Sequence, residues 1–177
     1  HVDPTTLVPG TLREEEAAGL LWMREEEKLA RDVYLALYEL WGQPTFQNIA
    51  NSEQTHMDAV LDLLQGYGIT DPAGVQGQFS NPDLQALYDQ LIAQGSQSLA
   101  DALKVGAAIE EIDILDLRER AAQTDEAAIQ TVYASLENAS NNHLRSFTST
   151  LLRRTGETYQ PQYLSAAEYQ AIVGSTN

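Results

Sequence analysis

Phe46, Ile49, Val60, Leu63 and Leu64 recur at helical spacing on one face, and Glu53 and His56 fall on that face one turn apart. A stripe of this kind faces a core, where two ionisable groups are costly unless something satisfies them. A metal ion does so, since carboxylate and imidazole are both ligands and helical bundles build such sites from facing helices. The pair therefore constrains the fold. Other long helices must bring matching groups to the same depth.

The rest of the chain narrows the classes available. Its 177 residues suffice for a sizeable core, and they divide into a polar, extended arm over 1–11 and one domain over 12–177. With 10 basic against 26 acidic residues the net charge is −16, which repels nucleic acid and anionic membrane surfaces and attracts cations. The chain has no cysteine, so every metal ligand must come from carboxylate, imidazole, amide or water. No apolar run approaches the ~18–20 residues of a membrane span, and no signal peptide is visible. The expectation is a soluble chain. Its start at His1 rather than Met, with the lack of cysteine, leaves a secreted or periplasmic location open. His1 itself reads as a terminal imidazole and not a ligand.

Read in order, the chain is all-α. Thr11 is placed to cap a helix whose first turn carries Glu14, Glu15 and Glu16 and which runs to about Trp41, stopped by Gly42 and Pro44. A second helix spans about 45–65, and Asn81-Pro82 opens a shorter one over about 82–94. Ser98 caps a third long helix over about 99–122, and Thr124-Asp125-Glu126 opens a fourth that ends at Arg154. Ser165 and Glu168 form a capping box for a last helix over about 166–173, with Tyr159, Tyr163 and Tyr169 expected to hold this tail on the bundle. The short helix lies in the long crossover between two hairpins.

Each hairpin offers an acid on its first helix and a histidine on its second. The first gives Glu27, then Glu53 and His56; the second gives Glu110, then His143. Two carboxylate-plus-imidazole half-sites facing each other across four helices suit a dimetal centre. Neighbouring acids Glu25, Glu26, Glu111, Asp116 and Glu119 fall off the apolar stripes and are expected in water. Taken singly, each candidate has an ordinary explanation. His143 could be a hydrogen-bonded core histidine, Glu27 part of a solvated acidic run, and Glu53 and His56 each other's partners. Convergence of four helices favours the metal.

Glu27-Lys28-Leu29-Ala30-Arg31-Asp32-Val33-Tyr34 and Glu53-Gln54-Thr55-His56 resemble the first two helices of ferritin-like di-iron proteins, rubrerythrin in particular. Residues 12–155 resemble more closely the uncharacterised DUF2202 family, through Met23-Arg24-Glu25-Glu26-Glu27-Lys28-Leu29-Ala30-Arg31-Asp32, Asp113-Ile114 and Asn142-His143-Leu144. The resemblance implies a ferritin-like four-helix bundle and di-iron oxidation or peroxide reduction. One departure stands out. The superfamily's fourth helix repeats E-x-x-H, but Ser140 occupies the acid's position here, and Glu137 lies ~600° around the helix from His143. Asp113 is the expected substitute, because rubrerythrin-like sites use two acids on the third helix.

Lengths test the register. Glu110 lies 14 residues before Thr124, and Ser140 lies 16 after it, so that hairpin's ligands share one depth. Glu27 lies 14 residues before Trp41, but Glu53 only 8 after Thr45, a ~9 Å offset. The link Gly42-Gln43-Pro44 is therefore expected to run back extended for ~10 Å. Without that return, or an early end to the first helix, Glu27 is out of reach.

The leading functional expectation is an oxidoreductase of ferroxidase or peroxidase type. Glu27, Glu53, His56, Glu110, Asp113 and His143 hold one or two iron ions, with manganese or zinc as alternatives, which meet oxygen or peroxide. Tyr34 is a core tyrosine by default and, in a sharper reading, a proton or electron relay to the site. The alternative is a non-catalytic ferritin-like scaffold for homodimerisation, partner binding or cation sequestration, in which Ser140 marks lost chemistry.

Overall fold

The computed structural model describes residues 2–174, and among them there are six α-helices and no strand. They are α1 (Glu14–Trp41), α2 (Pro44–Gly66), α3 (Pro82–Gly95), α4 (Leu99–Ala122), α5 (Ala127–Thr155) and α6 (Ala166–Val173). The reading of His1 falls outside the described residues. α1 packs along α2 and α4 along α5, while α1 also meets α4 and α2 meets α5, so the four long helices enclose a common interior. α3 lies against α1 and α4, and α6 against α5. Among the described residues no helix is long and apolar enough to cross a membrane.

Capping chemistry sets most boundaries where expected. Gly42 closes α1 in the left-handed conformation (φ 63°) and donates its N–H to the Tyr38 carbonyl, and Pro44 occupies the first turn of α2. Asn81 caps α3 through two backbone N–H groups, and Ser165 and Glu168 form the expected box on α6. α1 differs. Arg13 is its N-cap and donates its backbone N–H to Glu16 Oε2, with no side-chain cap, while the Thr11 hydroxyl donates to the Val8 carbonyl. The arm is not simply extended either. Pro4–Thr6 form a 3-10 turn capped by Asp3, and Leu7 seats against Gly66 at the end of α2.

Glu25, Glu26 and Glu111, expected in water, are buried, and Glu25, Glu111 and the buried Asp32 each have a distant partner. Glu25 takes the N–H groups of Ser80 and Asn81, and Asp32 takes the Gly77 N–H and the Lys28 ammonium. Lys28, fully buried, also donates to the Gln78 carbonyl and lies 4.1 Å from the Phe79 ring centroid. Arg24 pairs with Asp71. Together these residues strap the α2–α3 connection onto α1. Glu111 does the same for the tail, accepting from the Tyr159 hydroxyl and the N–H groups of Gln162 and Tyr163. Tyr159 is buried on that carboxylate and its ring meets Tyr169, whereas Tyr163 is half exposed and does not hold the tail by its side chain.

The interior is split along its length. One apolar cluster gathers Leu20, Met23, Leu63, Leu64, Leu117 and Leu136; the other gathers Val33, Phe46, Leu103, Leu144 and Phe147. Between them every long helix contributes ionisable or hydroxyl groups. That layer is the site.

Candidate metal centre

The layer consists of Glu27 from α1, Glu53 and His56 from α2, Glu110 and Asp113 from α4, and Ser140 and His143 from α5, all buried. Helical period puts Glu53 and His56 on one face of α2, and Glu110 and Asp113 on one face of α4. Two groups could hold a metal ion: Glu27, Glu53 and His56, and Glu53, Glu110 and His143, with the ligand atoms of each group within 4.8 Å of one another. Glu53 belongs to both. Its Oε2 stands 2.8 Å from His56 Nδ1 and its Oε1 stands 2.9 Å from His143 Nδ1. Glu27 Oε2 approaches His56 Nδ1 at 3.1 Å, and Glu110 Oε2 approaches His143 Nδ1 at 3.5 Å. The two imidazoles stack at 5.6 Å between centroids.

This corrects the expected partition. Glu53 is not the acid of one half-site but the carboxylate the two share. The register expectation fails for a related reason. α1 runs to Trp41 and α2 starts at Pro44, so the link neither returns extended nor follows an early helix end. Glu27 nevertheless reaches the site, because it meets His56 rather than standing level with Glu53. His56 lies 12 residues after Pro44 and Glu27 lies 14 before Trp41; the two-residue difference is ~3 Å, within the reach of a glutamate and a histidine. The second hairpin meets expectation, since Ser140 Oγ donates to Asp113 Oδ2.

The centre fits a cation by its own polar atoms. Glu27 Oε1, Glu53 Oε1, Asp113 Oδ1 and His143 Nδ1 are buried and lack hydrogen-bond partners. Glu53 Oε1 and His143 Nδ1 are close but not aligned to bond, as ligand atoms turned toward a common point would be. Electrostatics agrees. Burial and the neighbouring carboxylates hold Asp113 well above the usual carboxylate range, and burial raises Glu27 and Glu110 against the pull of the histidines. Burial also opposes charge on Glu53, but the two flanking imidazoles, His143 2.9 Å away and His56 hydrogen-bonded to it, outweigh it and keep the group low. Desolvation pulls each imidazole down, yet the flanking carboxylates push His56 up to about 11 and His143 up to about 10. Three carboxylates and two imidazoles, without sulfur, suit iron, manganese or zinc.

Residues 16–176 match the family described as an uncharacterized protein domain, DUF2202. The chain belongs to the DUF2202 family. The uncharacterized protein MJ0754 of Methanocaldococcus jannaschii is 51% identical to this DUF2202 chain over 167 residues, 93% of the chain and 90% of the relative. The crystal structure of hypothetical protein MJ0754 from Methanococcus jannaschii DSM 2661 is similar with a TM-score of 0.90, over 93% of this chain and 95% of that one. The DUF2202 match spans every residue of the polar layer.

Around the centre, the DUF2202 chain places two further groups. Tyr34, fully buried, donates its hydroxyl to Glu110 Oε1 at 2.7 Å and sits against the Phe46 and Phe147 rings. Ser52 was not singled out from sequence. Its Oγ lies 3.0 Å from His143 Nε2 and 3.4 Å from His56 Nε2, so one hydroxyl meets the outer nitrogen of both rings while both Nδ1 atoms face the carboxylates. The i, i+4 spacing to His56 put Ser52 on the right face, but serine at such a position is too common to be a signal.

Proposed function

We propose that this chain is a ferritin-like four-helix bundle whose polar layer holds two iron or manganese ions and works as an oxidoreductase on oxygen or peroxide. The sharing of Glu53 between two acid–imidazole groups, with unpartnered atoms turned inward, carries the reading. Redox-active ions bound there would supply electrons to oxygen or peroxide, with a reductant from outside restoring them.

The chain's own residues do the rest. Glu53 would serve both positions, one with each oxygen, and Glu27 and Glu110 would complete them. The apolar clusters above and below keep bulk water out of the layer. Tyr34 keeps its phenolic proton, because burial and then the Glu110 charge push it well above its usual range, and its O–H is aimed at Glu110 Oε1. It is thus placed to hold the ligand carboxylate by that hydrogen bond and to relay a proton toward it only as another is returned to the phenol. Tyr34→Phe is expected to leave bound metal unchanged and to lower peroxide or oxygen turnover on the order of 10²-fold. Full turnover in the variant would remove Tyr34 from the chemistry.

A second reading has its own observation. Ser140 stands where a fourth carboxylate is expected and is bonded to Asp113, which occupies one of that acid's oxygens. This favours a non-catalytic scaffold or a cation sequestering protein. Metal analysis of protein purified without chelator, repeated on His56→Ala, separates the two. Stoichiometric iron or manganese, lost in the variant, is the expected result. No bound metal from iron-replete cells leaves the scaffold.

A further inference from the structure

Most buried acids outside the centre are fully employed. Glu16, Glu25 and Asp32 each find donors on both carboxylate oxygens. Glu26 does not. Only 3% exposed, it has one donor, the Trp22 indole N–H at 3.1 Å from Oε2, and its Oε1 has no partner. That same N–H lies 3.0 Å from Oδ2 of Asp116, so one neutral donor stands between two carboxylates. Among the described residues no lysine, arginine or histidine is within ion-pair distance of Glu26, Asp113 or Asp116. Arg118 pairs instead with Glu137 and Glu168, and the Arg120 guanidinium lies over the Trp22 ring at 5.7 Å.

These acids form a graded series. Asp116 is half-buried at the surface of α4, Glu26 is buried behind it on α1, and Asp113 is one turn back from Asp116 along α4. Asp113 lies in the field of both Glu26 and Glu27, and its Oδ1 is also without a partner. Two clustered carboxylates in a dry seam repel each other unless a proton or a cation stands between them.

We propose that Glu26 and Asp116 form a cation waypoint in the α1–α4 seam, through which divalent metal passes Asp113 to reach the centre. The waypoint rests on the metal-centre reading and adds its route of entry. Its oxygen-only donors suit a divalent cation that exchanges its water for carboxylate oxygens in transit, whereas the imidazole-containing centre binds more tightly. Glu26 and Asp113 each keep one buried oxygen without a partner, which such an ion would take in turn. Trp22 holds the outer pair in place and contributes no charge.

The test is stopped-flow uptake of Co2+ alone by the metal-free chain, followed by visible absorbance, with cobalt per chain measured at the end point. Glu26→Gln and Asp116→Asn are expected to slow uptake about tenfold while reaching the wild-type end point. Glu119→Gln, which removes one exposed charge on the same helix, should load at the wild-type rate. Asp116 is only half-buried, so Asp116→Asn keeps the test alive if Glu26→Gln fails to fold. Wild-type rates in Glu26→Gln and Asp116→Asn would show that the pair only shares a proton, and the waypoint falls. Equal slowing in Glu119→Gln overturns it too, in favour of bulk charge. No uptake by the wild type overturns the centre itself, which is a different result from a normal rate in the variants.

Discussion

His56 and His143 carry opposing demands. Without metal each is an imidazolium held by carboxylates; with metal each must present a bare Nδ1. His56 is raised from about 6.5 to about 11, so its contribution to metal-free stability is complete below pH 6.5 and is lost as pH rises toward 11. Metal affinity moves the other way, because the ion displaces those protons. Calorimetry in buffers of different ionisation enthalpy should detect about two protons released per chain near pH 7. Affinity that does not change with pH would contradict the protonation described here. Ser52 tests the same geometry from outside. If its hydroxyl orients both rings, Ser52→Ala weakens metal binding about 10–100-fold in chelator competition, and Ser52→Thr restores most of it. Unchanged affinity in the alanine variant would reduce Ser52 to a bystander.

At the scale of elements, the α2–α3 connection owes its place to side chains of α1. Lys28 is the centre of that strap, bonded to Asp32 and to the Gln78 carbonyl with Phe79 beneath it. Lys28→Met leaves Asp32 with Arg31 and the Gly77 N–H but breaks a buried pair, so a loss of about 3 kcal/mol is expected in urea unfolding. A loss below about 1 kcal/mol would mean that the strap is held elsewhere. Legibility differed by level. The six helices were readable because apolar spacing, Gly42, Asn81-Pro82 and the Ser165–Glu168 box are local signals. Glu27, Glu53, His56, Glu110 and His143 were readable because each interrupts a stripe. Glu25 and Glu111 read as solvated because their donors come from loops 50 or more residues away, and Glu26 because the seam that buries it is closed by another helix, whose Asp116 shares its Trp22 donor; no local pattern encodes either. The register error had the same root. Helix lengths were readable, but which side chain of α2 faces Glu27 depends on how the hairpin is rotated.

The whole molecule carries a net charge of −16 and places four acids and two imidazoles in one dry layer. Both features cost stability in the metal-free state and are relieved by bound cations. Ion at about 100 times its Kd should stabilise the fold by about 2.7 kcal/mol, which for a chain of this size raises Tm by about 5–10 °C. Scanning calorimetry with and without chelator would show it, and identical curves would argue against a resident ion. The division of the interior has one more consequence. Two greasy cores lie end to end, joined by four helix backbones and by whatever sits at Glu53. A shared ligand makes a rivet: loaded, the ends must melt together; empty, they are free to melt apart. Limited proteolysis of the empty chain should therefore cut one end while sparing the other, and metal starvation would be read by cellular proteases as a half-unfolded chain.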